Sequence, residues 1–152
     1  MLSDDVFRSR LLATIESLRY FMPSVADVAQ HEEHSAQGFW KLSVTPLTPG
    51  ACPVELILHE TQRYDVMIAG ETYEDREIAS LDVFVPLMEA ITSGQLIERS
   101  WFSLQTGAQV ARQTLITLPK GALWEGGARP AAFDGSDNNF RSEDRHFLPY
   151  RR

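Results

Sequence analysis

Apolar residues near the start of the chain recur at the spacing of an α-helix. Ser3 can cap this helix, and two acidic residues follow it in the first turn. Pro23 ends the pattern, because proline cannot continue a helix. The apolar positions at helical spacing are Val6, Phe7, Leu11, Ile15, Leu18 and Met22. Residues 24–37 are mixed and polar, so their pattern leaves open whether they form a second short helix or a loop.

From Gly38 onward, apolar and polar residues alternate, which is the period of a β-strand. Prolines and a glycine separate the first two alternating segments, and the link at 60–62 is short enough for a hairpin. The alternating segments are 40–45, 54–59 and 64–69. We therefore expect a three-stranded antiparallel meander.

A second helix and a second hairpin are predicted after the meander. Ser80 can cap a helix whose apolar stripe ends at Gly94, and Pro86 places its regular start around Val85. Two segments rich in β-branched and aromatic residues then flank a Gln-Thr-Gly turn. Apolar residues point to both sides of this hairpin, so we expect a helix on one face and another subunit on the other.

The inferred element order, α-β-β-β-α-β-β, predicts an α+β fold in which two helices pack on an antiparallel sheet. At 152 residues the chain has the length of one domain, which we place at residues 1–125. Residues 126–152 are rich in glycine and polar residues, so we expect a flexible tail that is poorly ordered or docks on a partner. Its aromatic residues would also let it fold back on the body.

Charge and cysteine content narrow the compartment and the partners. The chain has 14 basic and 21 acidic residues and a formal charge of −7, opposite in sign to a nucleic-acid-binding surface. Its one cysteine, Cys52, cannot close an intrachain disulfide and fits a reducing cytosol. The N-terminus shows no export signal, and no apolar run reaches the length of a membrane span. We expect a cytoplasmic protein that binds neither nucleic acid nor membranes.

The histidines are weak candidates for a metal site. His31 and His34 lie three residues apart around two glutamates, and on a helix they would share one face. His59, at the end of a predicted strand, could add a third imidazole. A solvated polar segment explains the same residues, and neither an HExxH motif nor a phosphate-binding glycine motif is present in the sequence. We therefore expect no cofactor.

Residues 71–77 are the strongest candidate for a recognition loop. This acid-rich stretch is expected at the surface, as a loop or as an extension of the third strand. Tyr73 and Arg76, next to Glu74 and Asp75, offer an aromatic platform and a bidentate donor. Trp101 in the second hairpin is a further candidate anchor for a partner.

In element order, acidity and length, the chain resembles the small dimeric chaperones of type III secretion. The resemblance covers the segment from Ser3 to Leu118 and implies a homodimer that binds a protein segment. The leading hypothesis is accordingly a non-catalytic, homodimeric binding protein that holds a protein partner. One alternative is a small metal-dependent or acid/base enzyme that uses His31, His34 and His59. Another is a small-ligand-binding domain with a pocket gated by Tyr73 and Arg76.

Overall fold

The computed structural model describes residues 2–131 and 139–152. These residues form two α-helices, α1 (Asp4–Phe21) and α2 (Phe84–Thr92), and short 3-10 turns at Met22–Val25 and Leu81–Val83. The nine strands are β1 (Ala29–Ala36), β2 (Phe39–Pro46), β3 (Val54–His59), β4 (Arg63–Ile68), β5 (Glu71–Glu77), β6 (Leu96–Ser103), β7 (Gln109–Thr117), β8 (Leu123–Gly127) and β9 (Phe140–His146).

The strands form two antiparallel sheets, which confirms the predicted α+β class. One sheet has five strands in the order β1-β2-β3-β4-β5, and the other has four in the order β8-β7-β6-β9. The three predicted strands of the meander are β2, β3 and β4, and the predicted hairpin is β6–β7.

The meander is two strands longer than its alternation predicted. A 3-10 turn at Met22–Val25 extends into the undecided stretch 24–37, and Ala29–Ala36 form β1, an edge strand in which only Ala29 is buried. The acid-rich residues 71–77 form β5, at the other edge. β1 is exposed on both faces beyond Ala29, so it needs no alternation of apolar and polar residues. β5 pairs with β4 through a register shift and carries four acidic residues, which hides the period of a strand in its sequence.

The five-stranded sheet has one covered face, which we call the inner face. It carries the buried residues of β2, β3 and β4, and these belong to one core with the buried sides of both helices. The ring of Tyr64 on β4 meets the ring of Phe84 on α2 edge-on, with the centroids 5.1 Å apart. Inner-face residues are Trp40, Leu42, Val44, Val54, Leu56, Leu58, Tyr64, Val66 and Ile68. The opposite side is called the outer face.

The described part of the C-terminal segment packs against the body. β9 pairs with β6, and the fully buried Tyr150 donates a hydrogen bond from its hydroxyl to the carbonyl oxygen of Cys52. Phe147 is also part of the core. For residues 139–152 the structure thus differs from the expected poorly ordered tail, because their aromatic residues find places in the core and their backbone extends a sheet. Residues 132–138 of that segment lie outside the described residues.

Neither helix of the described ranges combines the length and the apolar character that a membrane crossing requires.

Candidate functional site

The structure places Tyr73 and Arg76 against the four-stranded sheet. The hydroxyl group of Tyr73 lies 2.7 Å from that of Thr114, which is fully buried on β7, and its ring meets Trp124 edge-on at 5.6 Å. The guanidinium of Arg76 lies 4.9 Å from the ring centroid of Trp124 and donates to the carbonyl oxygen of Glu125. Burial raises the pKa of the Tyr73 phenol. Both residues therefore join the two sheets of one chain.

The acidic neighbours of Tyr73 remain at the surface. Glu74 and Asp75 are exposed, and Asp75 adopts a left-handed backbone conformation with φ of 54°. Its amide donates to the Asp65 carboxylate at 2.7 Å, which fixes the bend in β5. The structure thus divides the predicted recognition residues into a half-buried pair that packs against the four-stranded sheet and an exposed acidic pair.

Trp101 lies half-buried on the side of the four-stranded sheet that faces away from β5. Its indole N–H donates to the Gln113 side chain at 2.7 Å, and the guanidinium of Arg129 stacks over its ring at 5.0 Å. Gln113 in turn donates to Glu125. The expectation that another subunit covers this hairpin stays a prediction.

The histidines lie on strands, which separates them. His31 and His34 are three residues apart on β1, so their side chains point to opposite faces, His31 with Val44 and His34 with Lys41. The helix on which the two imidazoles would have shared one face is not formed, because this segment is a strand. In the described part of the chain, no group of three His, Cys, Asp or Glu side chains is arranged to hold a metal ion.

His59 does have a partner, which the sequence analysis missed. Its Nε2 lies 2.8 Å from Oδ2 of Asp65 across the β3–β4 turn. Burial raises the pKa of Asp65, but the hydrogen bonds from the Asp75 amide and from His59 outweigh it and keep the pKa below its usual value. Residues 59 and 65 lie on either side of the predicted hairpin turn, and the alternation puts both on the same face of the sheet. Their spacing could therefore have predicted this contact.

Cys52 is fully buried between β2 and β3. Burial raises the pKa of its thiol to about 11, so the thiol stays protonated at neutral pH. A protonated, inaccessible thiol is a poor nucleophile, so the buried Cys52 is unsuited to covalent catalysis.

A cleft of about 860 Å³ opens between α1, the β3–β4 turn and the link from β5 to α2. Helix α1 contributes small and polar side chains to one wall, and the turn and the link form the other. The wall residues are Arg10, Ala13, Thr14 and Ser17 on the helix, and Thr61, Gln62, Arg63, Glu77, Ser80 and Asp82 opposite. Apolar side chains also line the cleft, among them Phe7, Ile78, Leu81 and Val85.

Gln62 holds the rim of this cleft in place. It is buried in a left-handed conformation with φ of 64°. Its side-chain amide donates to the carbonyl oxygen of Leu2 at 2.7 Å and accepts from the amide of Leu2 at 3.3 Å. Its own carbonyl accepts from the amide of Ile78. One strained residue thus ties the N-terminus and the β5–α2 link to the turn.

The cleft contains positively and negatively charged side chains that form few ion pairs with other described residues of the protein. Among the described residues, the side chains of Arg10, Glu77 and Asp82 form no ion pair. Arg63 lies 3.9 Å from the exposed carboxylate of Asp75 and donates a hydrogen bond to the carbonyl oxygen of the same residue at 3.4 Å. Such a cleft can pair with both signs of charge, donate hydrogen bonds from hydroxyl groups and cover apolar surface.

No protein-family model matches the chain, and no curated protein or solved structure is detectably similar to it. Its function therefore has to be inferred from the geometry of its own residues.

Proposed function

We propose that the protein is a non-catalytic, cytoplasmic binding protein that holds an extended segment of a protein partner in the cleft beside α1. The observation that carries this proposal is the mixed lining of the cleft, which combines apolar side chains with Arg10, Glu77 and Asp82, none of which forms an ion pair within the described part of the chain. A polypeptide offers the matching chemistry, since it combines amides, apolar side chains and charges of both signs. The buried free thiol of Cys52 supports a reducing compartment.

The volume of the cleft also falls in the range of pockets for small molecules, roughly 300 to 1,000 Å³. A small-ligand-binding domain is therefore the second candidate. Tyr73 and Arg76 do not line this cleft, so they could not gate it in the way that the sequence suggested. Small-molecule pockets are mostly apolar with few polar groups, whereas this cleft has polar groups along both walls, which favours a peptide.

The alternative of an enzyme built on the three histidines has less support. His31 lies on the other face of the sheet from His34, and His59 is paired with Asp65. His31 therefore cannot act together with His34 and His59, whose rings lie 6.0 and 6.3 Å from that of Phe39 on the outer face.

A peptide-binding measurement tests the proposal. Fluorescein-labelled nonapeptides of mixed charge are screened by fluorescence anisotropy against the wild-type chain and two matched variants. Ala13→Trp fills the cleft from an exposed position on α1, while Ser9→Trp adds the same side chain one helical turn away, outside the lining. We expect peptides that bind the wild type and Ser9→Trp equally, and Ala13→Trp at least about tenfold more weakly, a loss of about 1.4 kcal/mol.

Two results would contradict the proposal. One is the absence of any peptide with a dissociation constant below about 1 mM, or about 4 kcal/mol of binding free energy. The other is equal binding to both tryptophan variants. A thermal-shift screen with small metabolites on the same variants would then test the small-ligand candidate, since a ligand at 100 times its dissociation constant stabilises the fold by about 2.7 kcal/mol.

A further inference from the structure

The outer face of the five-stranded sheet carries an apolar row that lies outside the core. Phe39, Ile57 and Met67 sit on three adjacent strands and on the same diagonal, as the pairing of Phe39 with His59 and of Glu55 with Met67 requires. Met67 is 44% exposed, and none of the three belongs to the core or to the residues packed against it. Phe39 and Ile57 are partly exposed, and a partly exposed apolar row outside the core is a common element of an interface.

Two pairs, each of a basic and an acidic side chain, run parallel to this row, one on each side. Nζ of Lys41 lies 2.8 Å from Oε1 of Glu55, and Nε2 of His59 lies 2.8 Å from Oδ2 of Asp65. Each pair joins neighbouring strands along the same diagonal as the apolar row. In both pairs the basic residue lies toward Phe39 and the acidic residue lies toward Met67.

This pattern is complementary to a second copy of itself. Two such faces can pack on each other about a twofold axis that lies between the sheets, parallel to them and perpendicular to the apolar row. This axis brings the Phe39 end of one copy over the Met67 end of the other. Lys41 then approaches the partner's Glu55, and His59 approaches the partner's Asp65, so that each base of the two pairs meets an acid. We propose that the outer face is the interface of a homodimer built in this way, an isologous contact between two sheets.

The size of the face suits this role. Five strands at a spacing of about 4.8 Å, each about 20 Å long, give a face of roughly 500 Å² in projection. Because side chains protrude from the sheet, the accessible area of the face is larger than this projection and approaches the ~800 Å² that each partner of a standard interface buries. Beside the apolar row, Lys41 and His59 lie next to Glu55 and Asp65, so a second copy would bring two bases against two acids there.

Sedimentation equilibrium of the full chain between about 1 and 100 µM tests the dimer. Glu55→Lys would place lysine against lysine at two symmetric positions, and we expect it to raise the dimer dissociation constant about tenfold or more. Exchange of both charges, Lys41→Glu with Glu55→Lys, restores each contact and should return the constant to near the wild-type value. Asp144→Lys, which reverses a charge paired with Arg99 on the four-stranded sheet, is the control and should have no effect.

Three outcomes would overturn the proposal. The first is a wild-type chain that stays monomeric at 100 µM. The second is a dimer that tolerates both Glu55→Lys and Met67→Glu, and the third is a dimer that Asp144→Lys dissociates as strongly, which would move the interface to the four-stranded sheet. Glu55 and Met67 are both partly exposed, and circular dichroism verifies the fold of each variant, so that loss of the dimer reports on the interface itself.

Discussion

Gly126 on β8 lies directly beneath the ring of Tyr73, and its replacement by alanine should weaken the junction between the two sheets. A β-carbon added there would lie 2.6 Å from Cζ of Tyr73 and 2.8 Å from both Cε atoms. The ring has no simple way to move, because Trp124 packs against it edge-on and Thr114 holds its hydroxyl group. Gly126 has no left-handed backbone angle, so steric overlap is the main penalty.

The magnitude follows from two contributions. An extra methyl group in a packed interface costs about 1 to 3 kcal/mol. If the ring moves to make room, the buried Thr114 hydroxyl also loses its hydrogen bond, which adds about 1 kcal/mol. We therefore expect Gly126→Ala to lower the free energy of unfolding by about 3 kcal/mol, or the melting temperature by about 10 °C in a domain of this length.

A double-mutant cycle measured by urea unfolding isolates the contact. Tyr73→Leu removes the ring and should itself be destabilising, but in that background Gly126→Ala should cost less than about 0.5 kcal/mol. Tryptophan fluorescence follows the transition, since Trp124 lies at the junction. A cost for Gly126→Ala that is the same in both backgrounds, or that stays below 0.5 kcal/mol in the wild type, would refute the steric explanation.

Two further predictions concern the C-terminal segment and the buried thiol. Gly94→Ala should destabilise the fold by about 3 kcal/mol, because φ is +76° and the new β-carbon would lie 2.7 Å from the backbone nitrogen of Pro149. Gly107→Ala, with φ of +74° and open space around it, should cost only about 1 kcal/mol in the same denaturation assay, and equal costs would show that the contact with Pro149 is irrelevant. The raised pKa of Cys52 predicts that the free energy of unfolding falls between pH 9 and 11, because the thiol of the unfolded chain ionises at lower pH than the buried thiol. Cys52→Ala should remove about 2 to 3 kcal/mol of that fall. Urea midpoints of both chains across this pH range test the prediction, and an equal fall in the two chains would disprove it.

The helices and strands that the sequence predicted are those with one solvent-exposed face and one buried face. β2, β3 and β4 alternate because their inner side chains enter the core, and α1 shows a helical stripe for the same reason. β1 is exposed on both faces and β5 carries acids at the sheet edge, so neither has a periodic signal. Their strands form because a neighbouring strand supplies hydrogen bonds, which is a property of the whole sheet.

The functional residues were harder to infer for a related reason. An aromatic residue beside arginine suits a contact between two chains and a contact within one chain equally, and Tyr73 with Arg76 makes the second kind. The cleft draws its walls from α1, the β3–β4 turn and the β5–α2 link, so no short stretch of sequence contains its pattern. Only the fold brings Arg10 and Asp82 to one cavity.

The cleft shares no residue with the apolar row and its two flanking pairs, and these positions make the two sites separable in experiment. The cleft includes the β3–β4 turn, which follows His59 at the Phe39 end of the apolar row. Because the proposed twofold axis sets the Phe39 end of one copy over the Met67 end of the other, the two clefts would lie at opposite ends of the dimer. Each chain should then bind its own peptide independently, and Glu55→Lys should leave peptide affinity unchanged while it dissociates the dimer. A peptide affinity that falls together with the dimer would mean that the partner chain contributes to the cleft, which this arrangement does not allow.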